Sequence, residues 1–375
     1  MKKQVLAAAV VGAFAAPAAY AQTTLYGIVD IGYQNATGYN NRNKSFVQEG
    51  QHSPSRLGVR GSEDLAGGMY AMYGLEFNAP VDDSGGTTAV NFNRLAYGGI
   101  GSKAWGELTA GRQYTHTFHT FAVGSAHAYG TFASSYGWTG IATRAANSIK
   151  YSSPVFSGLS FGAIWSPSGQ RAQEPGNAVG GGGATASAAD QARFWDAAVR
   201  YTPGPFGLAA SLGRNKDETT AGATEAKFWQ LAGNWDNKAF GVYGQLFQNK
   251  VDTPTTTNAS DRRQWSISPV ARFGSHELYG LYGKNKQKSA LSTTGTSEAK
   301  IWGVVFEEVL SKRTRAYAGY GRANNSGTAL APTNFVGGPN AGAGEISITG
   351  APAANSLIPA GNSVRGIQLG VVHTF

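Results

Sequence analysis

Residues 55–79 read SRLGVRGSEDLAGGMYAMYGLEFNA, and the architecture of the chain can be inferred from them. In the first half, Leu57 and Val59 alternate with Arg56 and Arg60. A period of two places the apolar and the basic side chains on opposite faces of a β-strand. The Ala-Gly-Gly in the middle is a tight-turn sequence, and a second segment of the same kind follows it. The stretch therefore predicts a β-hairpin with one apolar and one polar face.

The same pattern recurs in sixteen segments of roughly ten residues, which is typical of a transmembrane β-barrel. The segments are residues 24–34, 55–65, 69–79, 94–101, 107–114, 148–156, 159–166, 192–201, 206–215, 227–235, 240–250, 264–273, 277–285, 299–310, 315–323 and 364–375. Short turns and long polar loops alternate between them, so the long loops share one side of the sheet. An even number of strands can close without unpaired edges, which lipid does not tolerate. The sequence predicts an all-β, 16-stranded antiparallel transmembrane barrel in one domain.

The N-terminus has the features of a secretory signal peptide. Lys2 and Lys3 precede an apolar run, and Ala-Tyr-Ala ends at Ala21 in the small-x-small pattern of a cleavage site. We expect cleavage there, so that residues 1–21 are removed and the mature chain is residues 22–375. The chain has no cysteine, which excludes a disulfide scaffold. No other apolar run reaches the ~18 residues of a membrane-spanning helix, so any membrane crossing would use strands.

One connection, residues 113–146, is too long for an ordinary turn and is called loop 3 below. It contains seven aromatic residues and no Asp or Glu. Ordered loops of this length are commonly functional, and the aromatic side chains give the loop enough apolar area to pack on the barrel. We expect loop 3 to fold into the mouth of the barrel and narrow it.

Several motifs resemble those of the trimeric general porins of Gram-negative bacteria, in particular the neisserial, Bordetella, Burkholderia and Comamonas branch. They are TLYGIVDIGY (24–33), PSRLGVRGSEDLAGGMYAMYGLE (54–76), FNRLAYGGIGSKAWGELTAGRQ (92–113), NSIKYSSPVFSGLSFGA (147–163), LSKRTRAYAGYG (310–321) and the C-terminal strand. The resemblance implies a homotrimer in the outer membrane, with loop 3 as the constriction and Phe375 as an assembly signal. It also implies a passive channel with no enzymatic activity and no cofactor. The sequence departs from the pattern of the resembled family in two features. These are Val-His-Thr before Phe375 and the absence of acidic residues from loop 3.

The basic residues near loop 3 bear on ion selectivity. Between Asp83 and Glu174 the sequence holds one acid, Glu107, against six bases. A field of one sign raises the local concentration of anions. In anion-selective members of the resembled branch, arginines at matching motif positions form the basic wall of the constriction, and here those positions hold Arg56, Arg94 and Arg144. The secondary lumen candidates are Arg60, Arg112, Lys150, His116 and His119.

The alternatives for these bases remain open. Arg56, Arg94 and Arg144 could also be ordinary lumen residues solvated by channel water. Arg112 shares parity with apolar residues, so it could anchor the base of loop 3 or face a neighbouring subunit. Protonation of the loop histidines near their usual pKa of ~6.5 would add positive charge to the lumen. No carboxylate accompanies these histidines within the loop, so the sequence predicts no metal site.

The sequence predicts an outer-membrane general diffusion porin that passes small hydrophilic solutes and prefers anions. The alternative is a substrate-specific channel for an anionic or other small solute. A secreted β-sandwich or adhesin is a third class, which would lack an apolar outer band. The bases are scattered one per strand rather than grouped, which argues against nucleic-acid binding. No nucleophile motif such as G-x-S-x-G favours an outer-membrane hydrolase.

Overall fold

The computed structural model describes residues 22–39, 42–82, 92–127, 130–136, 143–167, 192–219, 222–253, 256–289, 296–326, 331–332, 357–358 and 361–375. The predicted signal peptide, residues 1–21, lies outside them. The strands are β1 (Gln22–Tyr39), β2 (Arg42–Glu49), β3 (Arg56–Asp64), β4 (Met69–Asn78), β5 (Leu95–Ser102), β6 (Gly106–Tyr114), β7 (Arg144–Ser152), β8 (Leu159–Ser166), β9 (Ala192–Tyr201), β10 (Phe206–Thr219), β11 (Gly222–Asp236), β12 (Phe240–Thr253), β13 (Thr256–Phe273), β14 (His276–Ser289), β15 (Thr296–Val309), β16 (Thr314–Asn325), β17 (Ala331–Pro332), β18 (Leu357–Ile358) and β19 (Ser363–Thr374). Helix α1 covers His116–Val123, and a short 3-10 turn covers Ala66–Gly68.

The strands form a closed antiparallel barrel. β1 pairs with β19, and there Val29 lies opposite His373. Phe375 extends this pairing, because its backbone N–H and C=O bond with those of Gly27 at 3.1 and 3.0 Å. The first half of β1 pairs with β3 and the second half with β2, so β2 and β3 share one position in the wall. The barrel therefore has sixteen strand positions, as predicted, while β17 and β18 form a separate pair.

The barrel is apolar outside and polar inside. In β13, Gln264, Ser266 and Ser268 are buried, whereas Trp265 and Ile267 between them are exposed. A water-soluble protein would show the opposite distribution, and lipid accounts for an exposed band of large apolar side chains.

The last strand of the barrel shows the same two faces. In β19, Ile367, Leu369 and Val371 are exposed and Gln368 is buried. Among the described residues, no helix is long and apolar enough to cross a membrane.

Several strands extend beyond their predicted ends. β10 and β11 stay paired until Thr219 lies opposite Gly222, although the sequence places a polar loop at residues 216–226. The predicted loop at residues 35–52 likewise contains β2. Strand pairing uses backbone hydrogen bonds, so it can continue past the membrane, where both faces meet water and the apolar alternation disappears. The end of the apolar pattern therefore does not mark the end of the strand.

Loop 3 folds inward, as predicted, and it includes a helix that was not predicted. Thr115 caps α1 by accepting a hydrogen bond from the N–H of Phe118 at 3.0 Å. α1 contacts β8, β9, β10 and β11.

Residues 130–136 of loop 3 also lie along the inner wall. Phe132 and Ala133 pack in a cluster that includes Val270 of β13 and Ile301 of β15. The described part of loop 3 thus covers the β8–β16 side of the lumen, and the inner faces of β3–β7 form the opposite side.

Candidate functional site

The three arginines predicted to line the constriction lie at the starts of three alternate strands, β3, β5 and β7, at the root of loop 3. Arg56 begins β3, Arg94 directly precedes β5, and Arg144 begins β7 opposite Tyr114 of β6. The three are called the arginine row below. Antiparallel pairing of β3 through β7 brings these residues together from separate motifs, because each occupies the same end of its strand.

Arg94 is the most firmly held member of the row. Its Nε donates to Oε1 of Glu76 at 2.5 Å, its Nη1 to Oδ1 of Asn78 at 3.0 Å, and its Nη2 to the hydroxyl of Tyr114 at 2.9 Å. The residue is only 4% exposed. Hydrogen bonds from three guanidinium nitrogens fix its plane, which keeps the charge in one place.

Arg56 and Arg144 lie on either side of Arg94. Nη1 of Arg56 is 4.0 Å from Oε1 of Glu76, and its Nε donates to the carbonyl of Pro54 at 3.0 Å. The guanidinium carbon of Arg144 lies 5.3 Å from the centre of the Tyr114 ring. Glu76 thus separates Arg56 from Arg94, and Tyr114 separates Arg94 from Arg144.

Glu76 is a member of this site that the sequence analysis missed. Glu76 precedes the acid-poor stretch between Asp83 and Glu174, in the hairpin of β3 and β4. The sequence does place Glu76 on the same strand face as Asn78, because residues two apart on a strand share a face. In the structure Asn78 lies opposite Arg56, so Glu76 lies on the side of the arginines. Glu76 leaves the row with two net positive charges instead of three.

Two of the secondary basic candidates, Arg60 and Lys150, line cavities in which no residue of the arginine row takes part. The guanidinium of Arg60 stands 5.3 Å from the ring centre of Tyr26 and lines a cavity of about 490 Å³. Lys150 lines another cavity of about 340 Å³ together with Arg200, which the sequence analysis did not identify. Lys150 Nζ donates to the carbonyl of Tyr114 at 2.9 Å.

Arg112 braces the chain next to the arginine row. Its Nε donates to the carbonyl of Asn93 at 2.7 Å, directly before Arg94. The pairing of β6 with β7 shifts register between Gly111 and Gln113, directly at Arg112. The hydrogen bond to Asn93 fits the alternative in which Arg112 anchors the chain at the base of loop 3.

His116 and His119 lie in α1 against the wall rather than in open water. Burial and the nearby charge of Lys150 lower the pKa of His116 to about 3. Burial, with Lys150 and Arg200, also holds the pKa of His119 well below its usual value. Both imidazoles are therefore neutral at ordinary pH. The expected gain of lumen charge near pH 6.5 is wrong for these two residues.

Acids of the barrel wall hold loop 3, which has none of its own. Asp196 of β9 accepts hydrogen bonds from the N–H groups of His116 and Thr117, at 3.3 and 2.8 Å. A carboxylate at a helix N-terminus satisfies free N–H groups and suits the helix dipole. Glu307 of β15 bonds His127 further along the loop, so this histidine does have a carboxylate partner.

A closed barrel with an apolar outside, a polar lumen and an inserted loop defines a water-filled channel of the outer-membrane type. The Gram-negative porin family matches residues 7–328, and the chain belongs to that family. It is an outer-membrane porin.

Related proteins and structures agree with this assignment. The chain is 28% identical over 403 residues to outer membrane porin protein 32 of Delftia acidovorans, with 100% of both chains covered. It is 34% identical over 237 residues to an outer membrane porin protein of Bordetella pertussis, covering 56% of this chain and 59% of the relative. An anion-selective porin from Comamonas acidovorans shares the fold, with a TM-score of 0.75, 23% identity, and coverage of 95% of this chain and 100% of that one. Salmonella typhi OmpF has a TM-score of 0.67 and 14% identity, and 95% of this chain and 98% of that one are covered.

Proposed function

We propose that this porin is a general diffusion channel that prefers anions, with its narrowest passage between loop 3 and the arginine row. The observation that carries the proposal is the fixed position of Arg94 beside Arg56 and Arg144. Two net positive charges remain after Glu76 is counted, and they face a loop without acidic side chains. Charges fixed in a narrow, water-filled passage raise the local anion concentration and repel cations.

The preference of a related channel supports this proposal. The Comamonas porin of the same fold is anion-selective. The resembled branch also places arginines at the motif positions of Arg56, Arg94 and Arg144. The homotrimer and the cleaved signal peptide are part of the proposal; an N-terminal sequence starting at Gln22 would support cleavage after Ala21.

A substrate-specific channel for an anionic solute is the second candidate. The hydrogen bonds of Arg94 and the ring contact of Arg144 hold both guanidinium groups in fixed orientations. Fixed guanidinium groups suit a carboxylate or a phosphate. A conductance that falls in a saturable manner with one such solute would favour this candidate over a general channel.

Planar-bilayer recording in a KCl gradient tests the anion preference. We expect a reversal potential of the sign that Cl⁻ permeation produces, and a smaller potential for Arg94→Ala and for Arg144→Ala. Arg313→Ala is the matched control, because Arg313 is exposed in the short turn before β16. A wild-type reversal potential of the sign that K⁺ permeation produces would contradict the proposal.

A further inference from the structure

His52, His127 and Glu307 meet on the inner side of the barrel, although they come from three separate segments of the chain. Oε1 of Glu307 lies 2.7 Å from Nε2 of His52 and 2.6 Å from Nε2 of His127. The ligand atoms of the three residues all lie within 4.8 Å of one another. The side chains of His127 and Glu307 are each 2% exposed, and that of His52 is 14% exposed.

We propose that these three residues bind a divalent transition-metal ion, with Zn²⁺ as the reference case, and that the ion fastens loop 3 to the wall. Two imidazole nitrogens and one carboxylate oxygen are a ligand set that Zn²⁺ accepts, with water completing the coordination. The inference is independent of anion preference, because it concerns how loop 3 is held and not which ion passes.

The distances are compatible with exchange of protons for a metal. Each Nε2 lies at hydrogen-bond distance from the shared oxygen, so two N–H groups converge on one carboxylate atom. A metal bonded at about 2.0–2.2 Å to each ligand needs these nitrogens and the oxygen roughly 3 Å apart. Small rotations of the side chains provide this separation, and His52 is the partly exposed member that can move.

The second ring nitrogen, Nδ1, of both His52 and His127 lies at hydrogen-bond distance from a hydroxyl group. Nδ1 of His52 lies 3.1 Å from the hydroxyl of Ser53, and Nδ1 of His127 lies 2.5 Å from the hydroxyl of Thr131. A metal-bound histidine commonly donates its other N–H to an oxygen, which fixes the ring and its tautomer. Both rings thus have an acceptor on Nδ1 and direct Nε2 to one point.

The surrounding charge also favours a cation. Arg315 donates to Oε2 of Glu307 at 2.9 Å and also bonds Glu277. Asp30 accepts the backbone N–H of His52 at 2.6 Å, which adds a third carboxylate next to the cluster. Arg272 also lies 3.9 Å from Glu277, but it is paired with Asp236, so four carboxylates and two arginines leave net negative charge, and a divalent cation compensates it.

The position of the cluster determines what a bound ion would do. His127 belongs to loop 3, Glu307 to β15, and His52 to the connection between β2 and β3. The N–H of Gly130 already donates to the carbonyl of His52 at 3.2 Å. An ion at this point would join three segments and oppose movement of loop 3 away from the wall.

The test is Zn²⁺ binding to the purified full-length porin in detergent, after treatment with a chelator and dialysis. We expect one Zn²⁺ per chain and a higher unfolding temperature with Zn²⁺ than without it. His127→Ala and Glu307→Gln should each raise Kd at least about tenfold and remove the thermal shift. His276→Ala is the control and should bind as wild type does, because His276 contacts Glu308 in a more exposed pair that is separate from the cluster.

Co²⁺ absorption provides a measurement that needs no variant. Wild-type porin should give the visible bands of a four- or five-coordinate Co²⁺ site, and Zn²⁺ should displace them. Absence of saturable Zn²⁺ binding to the wild type would overturn the proposal and leave the cluster as hydrogen bonds only. Stoichiometric binding that survives both substitutions would also overturn it, because the ion would then lie elsewhere.

Discussion

Nε of Arg94 lies 2.5 Å from Oε1 of Glu76, so an acid is built into the basic side of the lumen. Both side chains are 5% exposed, and a buried pair of this kind fixes geometry more than it adds stability. The pair places the guanidinium of Arg94 against Tyr114 while it cancels one charge of the arginine row. Glu76 therefore limits the anion preference that the same arginines create.

Substitution of Glu76 should make the channel more anion-selective. In Glu76→Gln the amide oxygen can still accept from Arg94, but one negative charge is lost. A unit charge about 10 Å from a permeating ion in water is worth about 0.4 kcal/mol, so we expect a roughly two- to fourfold rise in the Cl⁻/K⁺ permeability ratio. Reversal potentials measure it. Glu107→Gln is the control with the same charge change, and a lower ratio in Glu76→Gln would contradict the prediction.

Substitution of Asp196 should loosen loop 3. The carboxylate of Asp196 accepts the N–H groups of His116 and Thr117, and an amide gives up the charge that favours a helix N-terminus. For Asp196→Asn we expect about 1–2 kcal/mol less stability and more open-channel noise. Thermal unfolding and single-channel recording measure the two effects. Asp261→Asn, in the wall at β13, is the control and should change neither the stability nor the open-channel noise. Equal noise in the two variants would contradict the role of Asp196 in holding loop 3.

The histidines of α1 should make the protein less stable in acid without changing permeation near neutral pH. The pKa of His116 is about 3 in the folded protein, against ~6.5 when unfolded. Between these values only the unfolded state takes up the proton, so stability falls as pH decreases from about 6.5 to about 3. The lowered pKa of His119 acts in the same direction.

Unfolding temperatures of wild type and His119→Gln at several pH values test this pH dependence. The variant should lose less stability on acidification than wild type, and its reversal potential should match wild type between pH 8 and 5. His373→Gln, exposed on the outer face, should behave as wild type in both measurements. If the unfolding temperature of His119→Gln fell with pH as steeply as that of wild type, His119 would not contribute to the loss of stability in acid, and the prediction would be wrong.

A side chain at Gly303 should displace loop 3. A Cβ at this position of β15 would collide with the carbonyl of Phe132, so only glycine allows the loop backbone to lie so close. We expect Gly303→Leu to push loop 3 away from β15 towards the arginine row and so narrow the passage, which would appear as lower single-channel conductance and slower liposome swelling in larger sugars. Gly98→Ala is the control, since its nearest neighbour would be the Met72 carbonyl at 3.6 Å. Unchanged conductance in Gly303→Leu would contradict the close contact between β15 at Gly303 and loop 3 at Phe132.

The architecture followed from local sequence because membrane strands alternate with a period of two. The hairpin of β3 and β4 and the outward set of β19 could be assigned by parity alone. Strand ends could not, because paired strands continue into water, where alternation no longer reports the fold.

The partners of loop 3 could not be predicted because they are remote in sequence. Asp196 and Glu307 lie on distant strands, and only the closed barrel brings them to His116 and His127. The loop therefore looked free of carboxylates in the sequence. Helix α1 was missed as well, since the capping role of Thr115 depends on one hydrogen bond within a stretch that shows no long helical pattern.

The pairing of β1 with β19 also determines how the protein must fold. Val29 and His373 are cross-strand neighbours that lie roughly 340 residues apart in sequence, and closing a loop of that length costs about 5 kcal/mol in chain entropy. Neighbouring hairpins form at much lower cost, so ring closure should be a late and slow step. Until it occurs, β1 and β19 each have an unpaired edge beside a wide apolar surface. The unclosed chain is therefore the species most prone to aggregate on its way to the membrane.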